Sequence, residues 1–171
     1  MRHAQAALVL RPWSENDRAV LDRTVGDPEM MRHLGGAEAP AALDSRHLRY
    51  VALAQTGPAC MYVIEVGGER EPAGTIGFWK RTWRGRPVFE TGWMVFPEFA
   101  RRGVATAAGR LIVEKAGGLR ARRYLHAFPA VGNGPSNAVC RKLGFENMGP
   151  CEIEYPKGVA MLANNWRAAL W

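Results

Sequence analysis

At 171 residues, 47% of them apolar and 23% charged, the chain has the size and balance of one globular domain with its own core. No apolar run approaches the about 20 residues that span a bilayer, and residues 1–8 lack the apolar centre and cleavage pattern of a secretory signal. The formal charge of +7, mostly arginine, favours anionic partners in general, while three cysteines without close pairing argue against a disulfide scaffold or structural zinc.

In chain order, residues 8–13 read as a short strand ended by Pro12. Ser14 followed by Asp17 is a capping arrangement and predicts a helix over 15–25. Asp27-Pro28-Glu29 is a second start signal, for a short helix through Leu34 that Gly35 and Gly36 stop. Leu43, His47, Leu48, Val51 and Ala52 recur at helical spacing, which predicts a helix over 44–55 ended by Gly57-Pro58. Residues 61–66 are β-branched and aromatic and run into Gly67-Gly68, a strand and a turn. Residues 72–79 give the next strand, and a basic connection from Arg81 to Pro87 leads into a strand over 88–96.

That strand empties into Phe99-Ala100-Arg101-Arg102-Gly103, and Val104, Ala107, Ala108, Leu111 and Ile112 then mark a helix with one buried face, to about Ala116. A helix start offers unpaired N–H groups and a positive dipole end. Gly103 permits close approach of a ligand, and no acidic residue lies between Glu98 and Glu114. The stretch reads as a pyrophosphate cradle, the bland alternative being a corner with solvated arginines. Residues 122–128 are a further strand, Pro135 opens a helix that ends at Gly144, and strands follow from Phe145, the last over 159–163 with a further stretch over 166–170. This order predicts a mixed α/β sheet in one domain spanning residues 1–171.

Two motifs about 30 residues apart carry a resemblance: Arg102-Gly103-Val104-Ala105-Thr106-Ala107, and Asn133-Gly134-Pro135-Ser136 running on to Lys142-Leu143-Gly144-Phe145. With Glu90-Thr91-Gly92-Trp93-Met94-Val95 before the first, the sequence resembles the GNAT acetyltransferase superfamily. Within it, the likeness is greatest to the branch that includes ribosomal-protein N-terminal alanine acetyltransferases. The resemblance implies an α/β (α+β) fold: a mixed, mostly antiparallel sheet of six or seven strands, splayed at the acetyl-CoA site and flanked by helices. It also implies acetyl-CoA as co-substrate and direct acetyl transfer to a primary amine, on a protein N-terminus or a small molecule.

Carried onto this chain, the resemblance places the cofactor on Met94, Val95, Phe96, Arg101, Arg102, Gly103, Val104, Ala105, Thr106 and Asn133. Backbone amides of the strand would hold the pantetheine arm and thioester carbonyl, and fixed dipoles there stabilise developing oxyanion charge. Ala100 departs from the Gln or Arg common at its place. Glu90 is the candidate base, through a water, and Ser136 and Cys140 are candidate acids for the leaving thiolate; Cys140 stands where many members carry a tyrosine. Each has a structural alternative: a solvated strand-edge glutamate, a helix cap for Asn133 and Ser136, inert packing for Cys140.

His33, His47 and His126 show no ligand spacing, and Trp79, Trp83 and Trp93 are expected to fill core or line the acceptor cleft. A non-catalytic acyl-CoA-binding domain is the alternative within the family. A basic nucleic-acid-binding module is the alternative outside it, disfavoured because the arginines are dispersed. The expectation is therefore a cytoplasmic enzyme with no nucleic-acid, membrane or metal partner, a homodimer being left open. Arg81, Arg84 and Arg86 suit an acidic or carboxylate-bearing acceptor better than a polycation.

Overall fold

The computed structural model describes residues 7–57 and 60–171, so the expectations placed on residues 1–6 and on Pro58 lie outside the described residues. Strands β1 (Leu8–Pro12), β2 (Cys60–Val66), β3 (Glu71–Trp83), β4 (Arg86–Val95), β5 (Tyr124–Ala127), β6 (Glu146–Glu154) and β7 (Ala160–Ala169) form one sheet in the order β1-β2-β3-β4-β5-β7-β6. Every neighbouring pair is antiparallel except β4 and β5. The helices are α1 (Arg18–Asp22), α2 (Pro40–Thr56), α3 (Val104–Gly118) and α4 (Gly134–Lys142), with single 3₁₀ turns at Glu15–Asp17 and Pro97–Phe99.

Both faces of the sheet carry buried side chains, alternate residues of each strand pointing to opposite sides. On one face Ile76, Phe78, Phe89, Leu125 and Trp166 pack against Val104, Ala108 and Ile112 of α3 and Cys140 of α4. On the other, Met61 and Val63 of β2 pack with Leu21 of α1 and Leu43 of α2. A third cluster on that second face, Phe128, Cys151, Ile153 and Ala163 with Trp83, Tyr155 and Met161, contains no helical residue. All three cysteines are buried and free.

Four expectations are corrected. The helix expected over 15–25 is a 3₁₀ turn and the five-residue α1. Asp17 there is buried, accepting from Arg11 Nη2 at 2.7 Å and from the Ser14 N–H at 2.7 Å, so it ties the turn to β1 rather than starting a long helix. Residues 27–34 form turns: Asp27 Oδ1 does cap the Met30 N–H at 2.9 Å, but so short a run does not offset the cost of nucleating a helix. In α2 the inward residues are Leu43, Tyr50, Val51 and Ala54, while Leu48 is 68% exposed. The connection expected over 81–87 is instead a hairpin, with Arg81↔Val88, Thr82↔Pro87 and Trp83↔Arg86 in register around Arg84 and Gly85, both at positive φ. Such paired positive φ values belong to the tight hairpin turns that suit strand twist.

Candidate active site

Strand β4 carries the site. Its pairing with β5 consists of Phe89↔Leu125 and Glu90↔His126 and stops there, although β4 runs on to Val95. Beyond Glu90 the two strands diverge, leaving one edge of β4 without a ladder partner. The opposite edge stays paired to β3 as far as Gly74↔Val95. A Cβ on Gly74 would lie 2.0 Å from the Met94 carbonyl oxygen, and the Phe96 N–H donates to the Ala73 carbonyl at 2.8 Å. Met94 and Phe96 therefore turn their backbone towards β3. By the alternation of a strand, Thr91, Trp93 and Val95 turn theirs to the open edge. Of the expected trio, Val95 turns its backbone to the open edge, as Trp93 does, while Met94 and Phe96 turn theirs to β3. The Phe96 carbonyl is also occupied, by the Phe99 N–H at 2.9 Å.

Past Val95 the chain makes the Pro97–Phe99 turn and enters α3. Gly103 caps the helix in the left-handed region, φ +79°, and Arg101 also has positive φ. The first helical bond, from the Ala107 N–H to the Gly103 carbonyl, is 2.9 Å long. The N–H groups of Val104, Ala105 and Thr106 precede it and have no acceptor within the helix. Val104 and Thr106 bury their side chains, so only their backbone is offered to a ligand. The first turn holds no acidic residue, a Cβ on Gly103 would meet nothing within 4 Å, and Arg101 and Arg102 are exposed. Open space, free donors and two exposed cations stand at one helix start, which fits a pyrophosphate.

Glu90 lies on the other face of the sheet from α3. Its Oε2 accepts from Arg81 Nη1 at 2.6 Å and from the indole N–H of Trp79 at 3.2 Å, and its side chain is 15% exposed. The glutamate is thus an ion-paired, half-buried group. Beside it on β5, His126 is buried, with Nδ1 2.7 Å from Asn165 Oδ1. Burial holds the imidazole below its ordinary pKa, helped by the charges of Arg167 and Arg81.

The second motif forms the far wall. Asn133 is the N-cap of α4, its Oδ1 accepting from the Ser136 N–H at 3.2 Å. Its Nδ2 and the Ser136 hydroxyl have no hydrogen-bond partner among the described residues. Asn137, not singled out in the sequence, is the hub. It donates to the carbonyls of Ala130 (3.0 Å) and Asn133 (2.7 Å) and accepts from Asn164 Nδ2 (2.8 Å) and Trp166 Nε1 (2.9 Å). Cys140 is wholly buried in the core cluster beneath α3, and burial pushes its thiol up to about 12. Its thiol has no exposed surface. Among the described residues there is no metal-ligating cluster and no helix long and apolar enough to cross a membrane.

The sheet opens between two parallel strands, one of which feeds a glycine-capped helix start, and the family model for the GNAT acetyltransferase domain matches residues 7–146. The chain belongs to the GNAT acetyltransferase family. No curated protein matches it by sequence. Among solved structures it resembles a GNAT-family acetyltransferase from Bacillus anthracis, 18% identical over 97% of each chain with a TM-score of 0.78. The ribosomal-protein-S5-alanine acetyltransferase from Vibrio fischeri is 15% identical, over 95% of this chain and 92% of that one, at 0.76. The spermidine N-acetyltransferase from Vibrio cholerae, solved with CoA and spermine, is 14% identical over 95% of each chain, also at 0.76. The shared fold is the seven-stranded, mostly antiparallel sheet with four helices described above.

Proposed function

We propose that this chain transfers an acetyl group from acetyl-CoA to a primary amine, with the parts of the cleft in the following roles. The observation that carries the reading is the end of β4–β5 pairing at Glu90↔His126, just where β4 leads into the free N–H groups of α3. When bound, acetyl-CoA supplies an acetyl group activated as a thioester. The backbone of Arg102 to Thr106, capped by Gly103 and flanked by the side chains of Arg101 and Arg102, holds the pyrophosphate. Thr91, Trp93 and Val95 offer the strand donors and acceptors that a pantetheine arm can pair with, as a missing strand would, and Asn133 Nδ2 adds a side-chain donor. The same backbone donors aim fixed dipoles at the carbonyl where charge develops.

Glu90 receives the proton that the amine sheds, directly or through one water, and Arg81 positions its carboxylate. Ser136, a half-buried hydroxyl at the start of α4 with no partner of its own, is the proton donor closest in kind to what the leaving sulfur needs. Cys140 takes no part. The acceptor is an amine on a small molecule or a peptide N-terminus. Calorimetric titration with acetyl-CoA and with desulfo-CoA tests the cofactor roles: both should bind with similar affinity, because the phosphate and pantetheine contacts are common to them. Absence of heat with either would overturn the assignment.

A further inference from the structure

The β3–β4 hairpin and the part of the second sheet face that no helix covers flank a cavity of about 210 Å³, whose polar and aromatic lining includes Trp83, Arg84, Arg86, Tyr124, His126 and Arg167. Three of its side chains are arginines and none is a carboxylate. Arg84 and Arg86 form no ion pair among the described residues, and Arg167 has only the outlying Glu146, at 2.9 Å. Two rings fix the cations: the Arg84 guanidinium stands 5.2 Å from the Trp83 ring centre and that of Arg167 stands 4.6 Å from the Tyr124 ring centre. His126 also lines the cavity, held by Asn165 with Nδ1 2.7 Å from Oδ1.

The cavity adjoins the proposed base. Val88 lines it, and Glu90, two residues along β4, lies on the same face of the strand. Arg81 spans the interval, its Nη1 on Glu90 and its guanidinium 5.4 Å from the Trp83 ring centre and 4.7 Å from that of Phe128. Converging cations over an aromatic floor raise the local concentration of anions and repel polycations. We propose that this cavity seats the acidic group of the acceptor, a carboxylate or a phosphate, while the acceptor's amine lies at Glu90. The acceptor class is then an amine joined by a spacer to an anionic end. The proposal rests on the acyl-transfer reading for the amine, but the anion site stands on its own geometry.

Two measurements separate these. In the first, a series of ω-amino acids of graded length is compared with the matching ω-amino amides and ω-aminoalkyl phosphates as acceptors. The acid or the phosphate of best length should exceed its amide by at least about tenfold in kcat/KM, the worth of one charge-assisted contact. Arg84→Gln with Arg86→Gln, both on the exposed hairpin tip, should bring the anionic acceptor down to the amide's rate. Which anion gains more identifies the source. Equal rates for acid, phosphate and amide, or a preference that survives the double variant, overturn the proposal. The second needs no turnover: glutarate and inorganic phosphate are titrated against the whole protein while the Trp83 indole resonance is followed. A shift in the wild type that the double variant loses supports the anion site even if no amine is acetylated, in which case it is the transfer reading that falls. No shift with either anion overturns the site.

Discussion

Arg81 Nη1 lies 2.6 Å from Glu90 Oε2, and the pair is set by the hairpin ladder that places Arg81 across from Val88 and Trp79 across from Glu90. The candidate base is therefore oriented by two donors from the neighbouring strand, and its position is as rigid as the ladder. Glu90→Gln should lower kcat by about 10²-fold, the low end for general-base catalysis, with acetyl-CoA affinity unaltered. The loss should shrink at high pH, where the acceptor amine sheds its proton unaided. Equal turnover of variant and wild type throughout the pH range would remove Glu90 from the proton path. Arg81→Met should cost about 1–3 kcal/mol in urea unfolding, because it strips a charged partner from a half-buried carboxylate.

Gly103 is needed for its backbone and for the space above it. At φ +79° a β-branched residue is strained by about 1–2 kcal/mol, although its Cβ would meet nothing within 4 Å. Gly103→Val should lose acetyl-CoA binding together with that much stability. Gly103→Asn, which tolerates the left-handed region, should keep the stability and still lose affinity to the added side chain. Affinity retained in both would place the pyrophosphate elsewhere.

Asn137 holds the far wall with four hydrogen bonds. Asn137→Ala orphans two donors, Asn164 Nδ2 and the buried Trp166 indole, while the Ala130 and Asn133 carbonyls keep their backbone donors, and it should cost about 2–5 kcal/mol. Differential scanning calorimetry should show the melting temperature lowered by roughly 5–15 °C. A drop of under a degree would mean that water or a local shift replaces the network.

Cys140 gives a pH signature. Its thiol, ordinarily at 9.0, rises to about 12 in the fold because burial disfavours the thiolate. The unfolded chain therefore releases this proton first, and stability falls as pH climbs from near 9, the loss being complete near 12. Cys140→Ala should flatten that limb of the urea-unfolding curve and change kcat by less than about tenfold, below the about 10²-fold low end expected of a lost catalytic acid. A larger kcat loss, independent of pH, would reinstate the thiol as the leaving-group acid.

The elements that the sequence made legible are those with strong local signals. The α3 helix was expected to about Ala116 and ends at Gly118, and the helix from Pro135 starts one residue early, because apolar spacing and glycine stops mark both. The 81–87 hairpin was missed because its turn is Arg84-Gly85 rather than Asn-Gly, and arginines obscured the alternation of Trp79, Arg81 and Trp83. With it went the Arg81–Glu90 pair, which follows from register and not from spacing. Which residues turn their backbone to the open edge, Trp93 and Val95 or Met94 and Phe96, is likewise a matter of strand parity. Only the Gly74 approach and the Phe96–Ala73 bond fix that parity. The Asn137 network joins residues nearly thirty positions apart, which no local pattern announces.

The most direct test of the account is the appearance of free CoA thiol when the protein is mixed with acetyl-CoA and amines: peptide N-termini, amino acids, polyamines and aminoglycosides. The account predicts thiol release that depends on the amine, matches N-acetyl product one for one, and falls about 10²-fold in Glu90→Gln. Tight acetyl-CoA binding with no amine-dependent thiol release across that panel would contradict it and leave the chain a non-catalytic CoA-binding domain.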